Sequence, residues 1–254
     1  MSGRFLLDTN IVIAIFAEES AVLERAAAVL GFDAVMPEYS VQQEAAALGC
    51  EMDWGSPSMM PDAKTHPFQR VEDLRIPENI LEKPSLKVVL EALSILRRQY
   101  GDEVAIIGKV MGPWTISYHM AGTENFLLWS AIEPDKVRRF LEVLKEVTVL
   151  FAKAQFQAGA DVVVLADHAT GDLVSPKTYA QFLLPVHKEM VQRIGGPLIL
   201  HICGNCADRL GLFVEAGFDG YHFEWQVDAR EAVRVVNREM ALVAELRTPA
   251  PGAA

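Results

Sequence analysis

Gln157-Ala158-Gly159-Ala160-Asp161-Val162-Val163-Val164-Leu165-Ala166-Asp167 joins the end of a periodic segment to a nearly unbroken apolar run. Ahead of it, Val137, Phe140, Leu141, Leu144, Val147, Phe151 and Ala154 recur at spacings of three and four from Pro134 onward, which predicts a long helix with one apolar face. Gly159 stands where a left-handed residue commonly stops a helix. The run that follows has no polar alternation, so it reads as a strand buried on both sides, as in parallel sheets. Helix, glycine and two-sided strand make a βα unit, and the chain repeats it. Downstream come a helix from about Pro176 to Ile194, the turn Gly195-Gly196, a strand from Pro197 to Cys203 and a helix to Ala216 stopped at Gly217. A strand from Gly220 to Glu224, a helix from Ala229 to Val236 and a strand from Met240 to Ala244 complete the series. Upstream, Phe5 to Phe16, Asp33 to Met36 and Ala105 to Val110 read as strands, and Ala21 to Leu30 as an Ala-rich helix. The total is about seven strands, against eight in a closed (β/α)8 barrel of about 250 residues. The expected fold is therefore α/β, at the edge of sufficiency for a (β/α)8 TIM barrel: either one unit is degenerate or the barrel is incomplete.

A chain of 254 residues with 51% hydrophobic and 22% charged residues can bury a substantial core, which excludes disorder and fibre. The net charge of −11 repels polyphosphates, so nucleic acid is not expected as a partner. No apolar run approaches the ~18 residues of a membrane span, and Phe5-Leu6-Leu7 is broken by Asp8, unlike a signal peptide. A cytoplasmic protein without a membrane partner is expected. Cys50, Cys203 and Cys206 are too few for a disulfide framework and read as reduced thiols. Cys50 to Ile76, with Pro57, Pro61 and Pro67, is aperiodic and reads as a long excursion, a lid or rim.

The chemistry is concentrated in Leu198-Ile199-Leu200-His201-Ile202-Cys203-Gly204-Asn205-Cys206. Residues two apart on a strand share a face, so His201 and Cys203 project together from the C-terminal end, where parallel α/β folds place their sites. Imidazole and thiolate are favoured zinc ligands, and Gly204 lets the chain turn so that Cys206 can supply a third donor. The competing reading is a packed histidine with two inert thiols. Asp167 and His168 follow a strand directly and are expected at the same rim as catalytic candidates, with Glu224, last in its strand, as a third. A salt bridge to Arg230 is the alternative for Glu224. Ser175 before Pro176 reads as a helix cap. His66, His119 and His187 are placed in the excursion, in a loop from Trp114 to His119, and in a helix, with packing or surface roles. No G-x-S-x-G, P-loop or G-x-G-x-x-G pattern occurs, which leaves metal or thiol chemistry.

Leu200-His201-Ile202-Cys203-Gly204-Asn205, with Gly31-Phe32-Asp33-Ala34-Val35-Met36-Pro37, Glu44 to Glu51, Gly171 to Pro176, Leu184-Pro185 and Glu215 to Gly220, resembles the cobamide-dependent methyltransferase branch of the uroporphyrinogen decarboxylase superfamily. The resemblance covers about residues 21–245 and implies a (β/α)8 TIM barrel of the uroporphyrinogen decarboxylase type, incomplete at its C-terminus and atypical at its N-terminus, that docks a methylated corrinoid, carried by a partner protein, at its C-terminal mouth. It implies zinc held by His201 and Cys203, with a third cysteine expected beyond residue 245 or replaced by Cys206. The implied reaction moves a methyl group from methylcobamide to a coenzyme M-like thiol or to tetrahydrofolate. Uroporphyrinogen decarboxylation is one alternative, although an R-Q-A-G-R signature is absent. A truncated barrel that only binds corrinoid or a partner is another, and an incomplete sheet is expected to associate with a second copy. Met1 to Ala14, with Asp8-Thr9-Asn10, resembles instead the start of a PIN-domain ribonuclease, whose aspartate binds a divalent metal. Residues 1–20 are thus expected as a PIN-like segment, 21–245 as the barrel domain and 246–254 as an irregular tail.

Overall fold

The computed structural model describes residues 5–6, 32–37, 40–55, 59, 61–68, 70–101 and 103–244. Strand β1 (Phe5–Leu6) and β2 (Phe32–Val35) are followed by a small antiparallel pair, β3 (Met52–Asp53) and β4 (Asp62–Ala63), inside the excursion. The main strands continue as β5 (Ala105–Met111), β6 (Val162–Ala166), β7 (Leu198–His201), β8 (Gly220–Phe223) and β9 (Ala241–Ala244). Spatial order follows the chain, β1-β2-β5-β6-β7-β8-β9, and every pairing is parallel. The helices are α1 (Gln43–Ala47), α2 (Pro84–Tyr100), α3 (Pro113–Ala121), α4 (Thr123–Ile132), α5 (Pro134–Ala158), α6 (Pro176 to Ile194 in three consecutive pieces), α7 (Leu210–Ala216) and α8 (Ala229–Val236). A helix before each of β5 to β9 and an uncrossed order are what repeated βα connections produce. Among the described residues no strand pairs with the outer edge of β9, so the sheet is an open portion of a barrel, as expected from the strand count.

Side-chain alternation divides the sheet into two faces. Gly108, Val163, Leu165, Leu198, Leu200, Tyr221 and Phe223 point to the helices. A Cβ on Gly108 would stand 2.3 Å from Gln155 Oε1 of α5, and that amide in turn accepts from Lys109 N and donates to Lys109 O at 2.8 and 2.6 Å. Val137, Phe140, Leu141, Leu144, Val147 and Phe151 of α5 are all fully buried here, and each such side chain contributes about 1.5–3 kcal/mol. The opposite face carries a smaller apolar cluster of Met36, Ile107 and Val164 with Ala34, Val162 and Ile199. Lys109, His201 and His222 share the parity of that inner face. Arg97 of α2 ties the layers together, donating to Gly159 O where Gly159 closes α5 at φ 113° and pairing with Asp161 at 2.6 Å.

Several sequence expectations need correction. The stretch Trp114 to His119 is helical, within α3: nearly all its residues are buried, so no polar stripe marks its period. The segment from Pro176 to Ile194 is not uniform, because Tyr179–Leu183 adopts a π-turn. Pro185 has no N–H to donate and crowds the preceding carbonyls, and a widened turn accommodates it. Cys203 and Glu224 lie just past the ends of β7 and β8 rather than within them. The helix ending at Ala216 begins with a 3-10 turn at Ala207–Arg209. The expected helix Ala21 to Leu30, the PIN-like segment apart from Phe5–Leu6, and the tail beyond residue 244 lie outside the described residues. No helix among the described residues is long and apolar enough to cross a membrane.

Candidate functional site

The C-terminal ends of β7 and β8 converge because the two strands run in register. His201 pairs with His222, and their rings lie 4.7 Å apart at 32°. Two residues on from each, Cys203 and Glu224 emerge on the same face. The imidazole, thiol and carboxylate of His201, Cys203 and Glu224 each offer a donor atom, all within 4.8 Å of one another and partly exposed. His201 Nε2 is 3.2 Å from Cys203 Sγ, while His201 Nδ1 is buried without a well-formed hydrogen bond.

Electrostatics prepare these groups for a cation. Desolvation, then repulsion from His222 and Lys109, pushes the His201 imidazole down to about 4, so near neutral pH it is uncharged. Burial works to raise the Glu224 carboxyl, but the Gly204 N–H, the Cys203 thiol, Gln226 and His201 outweigh it and hold the group below its ordinary value. Both therefore present lone pairs, the form in which they ligate metals. Lys109, almost fully buried on the inner face of β5, donates to Ser40 O at 2.9 Å.

The remaining candidates fall elsewhere. Asp167, expected at the rim, shares the parity of Val163 and Leu165 and turns into the helix layer, 1% exposed. There its carboxylate accepts from Thr115 N and Oγ1 at 2.8 and 2.9 Å and meets His187 Nε2 at 3.2 Å. His187 Nδ1 in turn contacts the Tyr179 hydroxyl at 2.8 Å. The Asp167 backbone N–H donates to His201 O, so the network fixes β6 against the strand that carries the donors. His168, the next residue, is exposed, its N–H donating to Thr115 Oγ1 at 2.6 Å and its ring 6.2 Å from Tyr118. Cys206 is fully buried outside the donor group, with its thiol 3.7 Å from Cys203 O. Ser175 caps α6 by accepting from Thr178 N at 3.1 Å.

Two loops frame the mouth and are clasped together. The fully buried guanidinium of Arg209 donates to Ala169 O and Val174 O in the β6–α6 loop, at 3.3 and 2.5 Å, and to its neighbour Asp208. A Cβ on Gly171 would stand 2.1 Å from Asn205 O, so only glycine permits that approach. Of the residues at the site, His222 was not singled out in the sequence. Its signal is a His-x-carboxylate pair, His222 and Glu224, that repeats the His-x-Cys spacing of His201 and Cys203 one βα unit later.

Residues 21–250 match the uroporphyrinogen decarboxylase (URO-D) family. A methylated-thiol–coenzyme M methyltransferase of Methanosarcina mazei is 33% identical over 86% of this chain and 59% of its own length. A methylcobamide:CoM methyltransferase of Methanosarcina barkeri is 31% identical over 86% of this chain and 66% of its own. A solved methyltransferase from Methanosarcina mazei superposes with a TM-score of 0.85 at 27% identity, covering 95% of this chain and 74% of that one. The chain thus spans about three-fifths to two-thirds of the length of these curated relatives.

Proposed function

We infer, from the premise that this chain belongs to the uroporphyrinogen decarboxylase family, that it moves a methyl group from a methylated corrinoid, carried by a partner protein, to a thiol of the coenzyme M class. Tetrahydrofolate is the alternative acceptor. The observation that carries this reading is the convergence of His201, Cys203 and Glu224 within 4.8 Å at the strand ends. A nitrogen, a sulfur and an oxygen donor suit zinc, and His201 Nε2 stands 3.2 Å from Cys203 Sγ. Three protein donors leave a coordination position for an acceptor. Zinc bound there supplies one thing: it keeps an acceptor sulfur deprotonated at neutral pH, and the thiolate is the nucleophile toward the methyl group.

The chain's own residues do the rest. His201 binds as neutral imidazole, Glu224 adds the negative charge that favours a dication, and His222 packs beside His201. Asp167 ties the end of β6 to α3 and α6 through Thr115 and His187 while its backbone N–H pairs with His201 O, and the exposed His168 is assigned the role of orienting the acceptor. Uroporphyrinogen decarboxylation has less support, since it requires clustered positive partners for several carboxylates, whereas the groups gathered here are metal donors. The test is elemental analysis of tag-free protein combined with methylcobalamin demethylation in the presence of coenzyme M or tetrahydrofolate. Near-stoichiometric zinc and thiol-dependent demethylation are expected; absence of both metal and turnover would overturn the proposal in favour of a binding-only barrel.

A further inference from the structure

The Cys206 thiol is buried outside the donor group, yet it lies 3.7 Å from the backbone oxygen of Cys203 and beside the Tyr221 hydroxyl. Both cysteines belong to the loop between β7 and α7. Gly204, at φ 77°, reverses the chain between them, and Cys206 directly precedes the 3-10 turn that opens α7. The result is a Cys-x-x-Cys turn with one partly exposed thiol and one buried thiol. Cys50, the remaining cysteine, is occupied elsewhere, its thiol 3.5 Å from His119 O. Such asymmetry is what stepwise thiol–disulfide exchange uses: the accessible sulfur attacks, and the sheltered one resolves the mixed disulfide.

We propose that Cys203 and Cys206 form a dithiol modification site for small-molecule disulfides, and that its closure to an internal disulfide withdraws Cys203 from the donor group. In the first step the Cys203 thiolate attacks a disulfide RSSR, forming Cys203–S–S–R and expelling RS⁻. In the second, the Cys206 thiol gives its proton to the expelled thiolate and its sulfur attacks that of Cys203, expelling a second RS⁻, which takes up the proton originally lost from Cys203. The two protein thiols are oxidised by two electrons and RSSR is reduced to two RSH. Cys203 cannot be both a disulfide sulfur and a metal thiolate, so zinc is released as the bridge forms. The zinc consequence rests on the metal-donor reading above; the disulfide chemistry does not.

Glutathione disulfide is the probe, applied to the full chain as purified and after chelation, followed by alkylation under denaturing conditions and mass spectrometry. The expected result is loss of two of the three alkylatable thiols, no retained glutathione, a Cys203–Cys206 linked peptide and reversal by dithiothreitol. In the Cys206→Ser variant glutathione remains attached to Cys203; in Cys203→Ser neither remaining thiol reacts. Three alkylatable thiols, or a stable glutathione adduct, in the wild-type chain would overturn the proposal. A colorimetric chelator follows zinc during the same reaction. Protein that forms the bridge but held no zinc beforehand supports the dithiol site and counts against the metal-donor reading, so the two failures are separable.

Discussion

Glu224 is ionised by short-range hydrogen bonds that outweigh its partial burial, and that makes it the residue whose replacement tests the donor group most directly. Glu224→Gln keeps the shape and removes the charge; zinc affinity, measured by chelator competition, is expected to fall about ten- to a hundredfold. Cys203→Ser is expected to lose more, because it removes the thiolate itself. A second residue, His119, sets a pH dependence of stability. Desolvation, aided by repulsion from His66 and His168 and opposed by Asp62 and the Val41 backbone, pushes its imidazole down to about 4. The unfolded histidine takes up a proton near pH 6.5, so between these values the unfolded chain binds more protons and stability falls as pH falls. The slope from this group is at most about 1.4 kcal/mol per pH unit, and urea midpoints of His119→Gln should show a shallower decline across that window. The donor group itself was partly legible in the sequence. His201 and Cys203 follow from strand parity, but the sequence offers Cys206 as the third donor and places Glu224 at the rim only as a catalytic candidate. What parity alone could not give is the register, β7 to β8, that brings His201 against His222 and so carries Glu224 to Cys203.

Asp167 illustrates why an element is harder to read than its residues. The strand from Val162 to Ala166 is apolar on both sides, so its pattern marks a buried strand without saying which parity faces the helices. The sequence therefore places Asp167 at a strand end correctly but not on a face. In the helix layer it joins β6, α3 and α6, and Asp167→Ala would leave Thr115 N, Thr115 Oγ1 and His187 without their acceptor. A loss of about 3 kcal/mol or more is expected in chemical denaturation. His168→Ala removes an exposed side chain and should change stability by less than about 0.5 kcal/mol, while the demethylation assay is expected to show slower methyl transfer. Gly171→Ala is the corresponding backbone test. Its Cβ meets a main-chain oxygen that cannot swing aside, so the variant should lose about 1–3 kcal/mol and, by pushing the two rim loops apart, bind zinc more weakly. Helix α3 was illegible for the opposite reason from an amphipathic helix: burial all round erases the period. The long helix α5, with one wet face, was readable from end to end.

The molecule as a whole is an open sheet with helices on one face, and the βα rhythm from residue 105 to residue 244 was enough to anticipate it. Among the described residues the inner face carries a small apolar cluster of three buried side chains, and β9 has no partner strand on its outer edge. Unpaired backbone groups favour pairing with another chain, so light scattering across a concentration series is expected to reveal self-association; a constant monomer mass would count against it. The rim has a different mechanical character. A single guanidinium, Arg209, holds carbonyls of the β6–α6 loop from a position at the start of α7, and Gly171 lets the two backbones touch. Neither loop can open without breaking the same bonds, so their amides should exchange with deuterium as one cooperative unit, with a common opening free energy. Among the described residues, entry to the mouth then falls to the other side of the donors, where the β8–α8 loop presents Trp225, 57% exposed, to the solvent.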